Sequence, residues 1–152
     1  IFDSAIKIED TYVATILYDQ GVMVSYSSNW SLPFEGYRLA INGTLGRLET
    51  QEWHSTARVP FPIPSQQAID FFPLFGGAKE TIYTLTGEGG HGGGDPLILE
   101  DVFIGPKADR KYDLVAGARA GALAVAVGEA VWRSSVEGGK KYRIADLLGN
   151  TI

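Results

Sequence analysis

Hydrophobic and polar residues alternate along the first half of the chain, and the period then changes. Residues 11–18 form a run of β-branched and aromatic side chains, the composition of a strand. After Asp19-Gln20-Gly21, positions Val22, Val24, Tyr26 and Trp30 fall on one side of an extended chain. Met23, Ser25, Ser27 and Asn29 fall on the other, and a period of two with one polar side predicts a half-buried antiparallel strand. Tyr37, Leu39 and Ile41 alternate with Arg38, Ala40 and Asn42 in a third strand. Asn42-Gly43-Thr44-Leu45-Gly46 is a hairpin turn leading to a fourth strand over 47–53. Prolines between Pro60 and Pro64 remove donors and fix φ, so that stretch is loop or edge. Two further strands are predicted over 69–72 and 80–85.

Beyond residue 95 the spacing becomes helical. A short helix is predicted over 96–104, stopped by Gly105-Pro106, and a long one over 114–136. Ala116, Gly117, Ala120, Gly121, Ala124 and Gly128 recur at spacings of three and four in the long helix, which predicts close backbone packing there. Glu137-Gly138-Gly139 ends that helix, and 142–144 reads as a last short strand. Several strands followed by two helices and a terminal strand predict an α+β fold: a large open, mostly antiparallel β-sheet of about six strands with helices packed on one face.

Composition narrows the class. At 152 residues, 45% of them hydrophobic and 20% charged, the chain fits a single domain, 1–152, with a real core. A net charge of −5 with scattered Lys and Arg argues against nucleic acid as a partner. The longest apolar stretch, 121–136, is broken by Glu129 and Arg133 and is too short and too charged for a membrane span, so no membrane partner is expected. The absence of cysteine excludes disulfides and cysteine nucleophiles but leaves the compartment open, cytoplasmic or exported. The chain starts Ile1-Phe2-Asp3, without Met, which suggests a mature form or a fragment.

One stretch carries candidate chemistry: Gly87-Glu88-Gly89-Gly90-His91-Gly92-Gly93-Gly94-Asp95-Pro96. Glycine is costly to order, so such a run marks close backbone approach or angles closed to other residues. Asp95-Pro96 has the form of an N-cap with proline in the first helical position. An imidazole beside a helix N-terminus suits anionic or hydroxyl-rich ligands. The competing reading is a tight turn with an exposed histidine and an ordinary cap. As a metal site the run is weak, since His91 and Asp95 supply only two ligands. No GxxxxGK[ST] phosphate loop, GxSxG elbow or facing carboxylate pair is legible; Glu100 and Asp101 are adjacent and point apart on a helix.

An ordered set of segments resembles the C-terminal domain of the Gfo/Idh/MocA oxidoreductases, the family of glucose–fructose oxidoreductase and inositol dehydrogenase. The segments are Glu9-Asp10-Thr11-Tyr12, Pro33-Phe34-Glu35-Gly36-Tyr37-Arg38-Leu39, Ile41 through Glu49, Gly90-His91-Gly92-Gly93-Gly94-Asp95-Pro96, Leu99 through Phe103, and Gly121 through Ser134. The resemblance implies a C-terminal substrate-binding and oligomerisation domain of an NAD(P)-dependent enzyme acting on a sugar or cyclitol. It also implies a homo-oligomer built through the β-sheet, and NAD or NADP held by a Rossmann domain that this chain lacks.

The family's Glu-Lys-Pro motif is absent, and its Asp/His catalytic segment is expected upstream of Ile1, so no catalytic, cofactor-binding or metal residue is assigned here. The substrate-binding candidates are His91, Asp95, Gly92 and Gly93. By itself the chain is expected neither to bind a nicotinamide cofactor nor to turn over sugars. Two rival readings are kept. One is a non-enzymatic carbohydrate-binding or assembly module, favoured by an exposed row of Trp30, Trp53 and Tyr37. The other is part of an NAD-dependent retro-type glycosidase.

Overall fold

A computed structural model of the chain describes residues 3–54, 59–84, 87–107 and 115–149. The ends of two predicted elements, at Leu85 and Leu114, lie outside the described residues. The chain divides into two compact units, Ile1–Trp30 with Asp101–Ile152, and Ser31–Glu100.

In the first unit, β1 (Thr11–Leu17) and β2 (Met23–Asn29) form an antiparallel hairpin in which Ala14 faces Tyr26. Its turn is closed by two main-chain bonds, Tyr18 N–H to Val22 O and Gly21 N–H to Tyr18 O, both 2.9 Å. Along β1 the half-buried positions are Tyr12, Ala14 and Ile16, every second residue, as the strand period requires.

The second unit holds β3 (Gly36–Asn42), β4 (Gly46–Trp53), β5 (Ala68–Pro73) and β6 (Glu80–Tyr83) in one antiparallel sheet, ordered as in the sequence. The fold is α+β, and its six described strands are divided between a hairpin and a four-stranded sheet. The register sorts the larger sheet into two dissimilar faces. Leu39, Ile41, Leu48, Ile69, Phe71 and Ile82 share one, and Arg38, Arg47, Glu49, Gln51, Asp70 and Thr81 share the other.

Three helices are described: α1 (Gly90–Phe103), α2 (Ala118–Val136) and α3 (Ile144–Leu148). The long helix α2 buries Ala126 and Ala130, one turn apart, and α3 packs against it. This corrects the small-residue expectation. A side chain added at Gly117, Gly121 or Gly128 would meet nothing within 4 Å, so the glycines do not mark the packed side. The alanine methyls do. The predicted strand at 142–144 is also absent: Arg143 is extended and Ile144 opens α3. Ile144, Leu147 and Leu148 are half-buried at a spacing of three and four, a helical pattern that a window ending at 144 cuts off. The end of α2 follows expectation, with Gly138 (φ 72) and Gly139 (φ 90) turning the chain as Gly139 N–H returns to Ser134 O at 2.7 Å.

Apolar surface is left open. In the larger sheet Leu39, Ile41 and Ile82 are 49, 51 and 55% exposed. Trp30, on the side of the second strand that the alternation marks with Val22, Val24 and Tyr26, is 77% exposed.

Candidate functional site

The glycine run folds into a tight loop at the head of α1. His91 (φ 51, ψ 47), Gly92 (φ 67, ψ 22) and Gly93 (φ 92, ψ 6) are consecutive left-handed residues, and the regular helix follows them. Gly87 N–H donates to Gly92 O at 3.0 Å and closes the loop. Gly93 is buried, and a Cβ placed there would lie 2.5 Å from Gly87 Cα. Glycine is thus required at 93 by both conformation and space. His91 is the sole non-glycine residue of positive φ among the described residues. An L-residue in that conformation costs about 1 kcal/mol, and such strain gathers at functional sites.

The imidazole is held from one side only. Its Nδ1 lies 2.8 Å from Asp95 Oδ1, while the side chain is 87% exposed. A carboxylate only accepts hydrogen bonds, so Nδ1 carries a proton; Nε2 is turned away from Asp95, and in a neutral ring it is the atom that accepts from a hydroxyl. Asp95 was expected to cap the helix at Pro96. Its described side-chain bond goes to His91 instead, while Pro96, with no N–H to cap, continues the helix.

All four sequence-predicted residues therefore belong to one loop. His91 and Asp95 touch through side chains; Gly92 and Gly93 supply the backbone that makes this possible. Among the described residues no third metal-type ligand joins the pair. Nor does the loop have the setting of a dinucleotide cradle: that fingerprint sits in a βαβ unit, and the strand before this loop, β6, belongs to an antiparallel sheet. No chemistry of a nicotinamide group is routed through these residues.

The larger sheet carries two further clusters. On its mostly apolar side, Tyr37 Oη–H donates to the cross-strand Glu52 at 2.5 Å, and His54 Nδ1 lies 3.5 Å from the same carboxylate. The bond to Glu52 is the main cause holding the Tyr37 phenol pKa above its ordinary value, with partial desolvation adding to it. On the polar side, Trp53 packs edge-to-face with Phe34 and Phe61, at centroid distances of 5.2 and 4.9 Å. This cluster pins the proline-containing segment beside a cavity of about 750 Å³ on the polar face. Tyr37 and Trp53 thus lie on opposite faces and form no common row. The sequence reading missed the cavity. Its signal was present in the polar set Arg38, Ala40, Asn42, which the alternation had separated from Tyr37, Leu39 and Ile41.

An antiparallel sheet, a long helix that buries two alanines and a glycine loop presenting a carboxylate-braced histidine make up an α+β domain. Residues 3–144 match the family described as the oxidoreductase family, C-terminal alpha/beta domain, of Gfo/Idh/MocA type, and the chain belongs to that family. It is 56% identical over 137 residues to the Bacillus subtilis (strain 168) protein named "Putative oxidoreductase YteT". That match takes in 90% of this chain but 32% of the relative, so the chain spans about a third of the length of the curated relative it matches. No solved structure matches the chain. No described helix is long and apolar enough to cross a membrane.

Proposed function

We propose that this chain is the substrate-binding and oligomerisation part of an NAD(P)-dependent oxidoreductase acting on a sugar or cyclitol. In this reading NAD or NADP is held by another part of the intact enzyme. The observation that carries it is His91, strained into a left-handed conformation and braced by Asp95 so that Nε2 faces outward. A neutral imidazole in that pose accepts a hydrogen bond from a substrate hydroxyl and fixes its orientation; the left-handed turn of Gly92 and Gly93 keeps the ring in place. The oligomer would form through the apolar sheet face. There Leu39, Ile41 and Ile82 are 49, 51 and 55% exposed, and large open apolar patches mark interfaces.

The test is kinetic. His91→Ala in the intact enzyme, assayed with NAD and with NADP against a panel of sugars and cyclitols, is expected to lower kcat/KM roughly tenfold to a hundredfold, the worth of one hydroxyl contact. Its circular dichroism and melting temperature should match those of the unaltered protein. An unchanged kcat/KM on every substrate that turns over would overturn the reading.

A further inference from the structure

The cavity on the polar sheet face has an uneven charge arrangement. Its floor is the polar side of β3 to β6, and Ile63, Pro64 and Gln67 stand along one wall. Arg47 donates to Glu49 at 2.5 Å and to Asn42 at 2.8 Å. Lys79 donates to Asp70 at 3.0 Å, and the other Asp70 oxygen accepts the Thr81 hydroxyl at 2.7 Å. Arg38 is the third cation of the lining and is in no ion pair or hydrogen bond with another described residue. Among the described lining residues three cations face two carboxylates, which leaves the positive charge of Arg38 without a carboxylate of its own.

A guanidinium presents a planar fork that matches a carboxylate with two parallel bonds. One free positive charge suits a monoanion; a phosphate dianion would call for a second unpaired cation, and Arg47 and Lys79 are already engaged. The carboxamides of Gln51 and Gln67 both donate and accept, as recognition of vicinal hydroxyls requires. Ile63 and Pro64 offer an apolar wall to the C–H face of a ring.

We infer that this cavity binds a carboxylated monosaccharide, a uronic acid, with its carboxylate on Arg38. The sugar half of that assignment rests on the function proposed above; the carboxylate half rests on Arg38. The site is separate from the His91 loop in the residues it uses, and this makes the two readings separable.

Calorimetric titration with D-glucuronate, D-galacturonate, D-glucose and acetate tests it. At least one uronate is expected to bind at least about tenfold more tightly than glucose or acetate, with Arg38→Gln weakening it roughly tenfold to a hundredfold, as loss of a charge-assisted pair implies. Arg38→Lys should recover part of the affinity, and His91→Ala should leave it unchanged. Should Arg38→Gln fail to fold, heteronuclear spectra of the unaltered protein decide the matter. Glucuronate or galacturonate must then shift the Arg38 Nε and Gln51 side-chain signals. Absence of uronate binding, equal affinity for glucose, insensitivity to Arg38→Gln, or shifts confined to other residues would each overturn the inference. Sugar turnover that depends on His91 without uronate binding would sink this inference alone. Arg38-dependent uronate binding beside an inert His91→Ala change would sink the His91 reading alone.

Discussion

Replacing Gly93 by Ala should break the loop that holds His91, whereas Gly92→Ala should only strain it. Both positions are left-handed, with φ 67 at Gly92 and φ 92 at Gly93, so both alanines carry the conformational cost of about 1 kcal/mol. They differ in space. A Cβ on Gly92 meets nothing within 4 Å, while one on Gly93 lies 2.5 Å from Gly87 Cα and 2.8 Å from Gly87 C. Carbon atoms pack at about 3.5–4.0 Å, so the overlap is about 1 Å. The obstructing atoms are main chain and cannot rotate away. The loop relieves the clash only by parting Gly87 from Gly93, which gives up the Gly87–Gly92 hydrogen bond, about 1 kcal/mol, and the burial of Gly93. The conformational and hydrogen-bond terms together come to about 2 kcal/mol for Gly93→Ala, before the lost burial is added, against about 1 kcal/mol for Gly92→Ala.

The loop can open without unfolding the rest, so the melting temperature will report only part of that difference. Hydrogen exchange of the Gly87 amide is the direct assay, because that amide donates across the loop. Its protection should fall toward that of an open segment in Gly93→Ala and stay within about tenfold of the unaltered value in Gly92→Ala, the factor that about 1.4 kcal/mol represents. If Gly93→Ala keeps Gly87 as protected as Gly92→Ala does, close approach is not the reason for glycine at 93.

Three further outcomes follow from the packing. The Thr81 hydroxyl first and the Lys79 ammonium second hold the Asp70 carboxyl pKa below its usual value. Its stabilising contribution is thus present above the unfolded-state carboxyl pKa and lost as pH falls through the lower folded value. In a carbon-detected titration Thr81→Val should move the Asp70 midpoint upward, and no movement would refute the assignment. Ala126 is 5% exposed, so Ala126→Leu should cost about 1–3 kcal/mol by overpacking. Leucine at the exposed Ala124 should cost less than about 0.5 kcal/mol, both read from urea unfolding. Phe61→Ala removes edge-to-face contacts to Phe34 and Trp53, worth about 0.5–1.5 kcal/mol each, and should red-shift Trp53 fluorescence as the ring meets water.

Strand positions were legible because period two is a local signal: Tyr37, Leu39 and Ile41 share a face in the sheet as in the sequence. The hairpin at 42–46 was legible for the same reason, and Gly43 N–H bonds Gly46 O at 2.8 Å. What failed depended on partners remote in sequence. The small-residue stripe of α2 suggested the wrong packed side, because composition does not tell which neighbour arrives, and Ala126 and Ala130 face it instead. At the glycine loop the Asp-Pro pair spelled a helix cap, and local preference lost to an imidazole four residues back. The four residues singled out do share one loop, since glycine spacing and the Asp–His separation are both short-range. The Arg38 cavity needed four strands in register and a folded-over segment, none of which a single strand announces.

The two faces of the larger sheet differ in what covering them would cost, and this decides which molecule suits each. Covering Leu39, Ile41, Leu48 and Ile82 removes apolar surface from water, at about 25 cal/mol per Å², and the nearby Tyr37 and Thr50 hydroxyls already donate to Glu52 and Ala68 O. Covering the opposite face with protein would desolvate Arg47 with Glu49 and Lys79 with Asp70, pairs whose dehydration offsets much of their attraction. It would also trap Arg38 without a counter-charge, the costliest of these changes. A small hydroxylated acid avoids that penalty: it brings the missing negative charge and leaves the outer edges of both ion pairs in water. On the two proposals made above, the alternation first visible at residues 37–42 would separate two roles by physical cost, protein contact on the Leu39 side and ligand contact on the Arg38 side. An Arg38→Glu change should invert the second role while leaving the first intact. Uronate binding would be abolished and the oligomer mass in light scattering unchanged; a loss of both together would show that one surface serves both purposes.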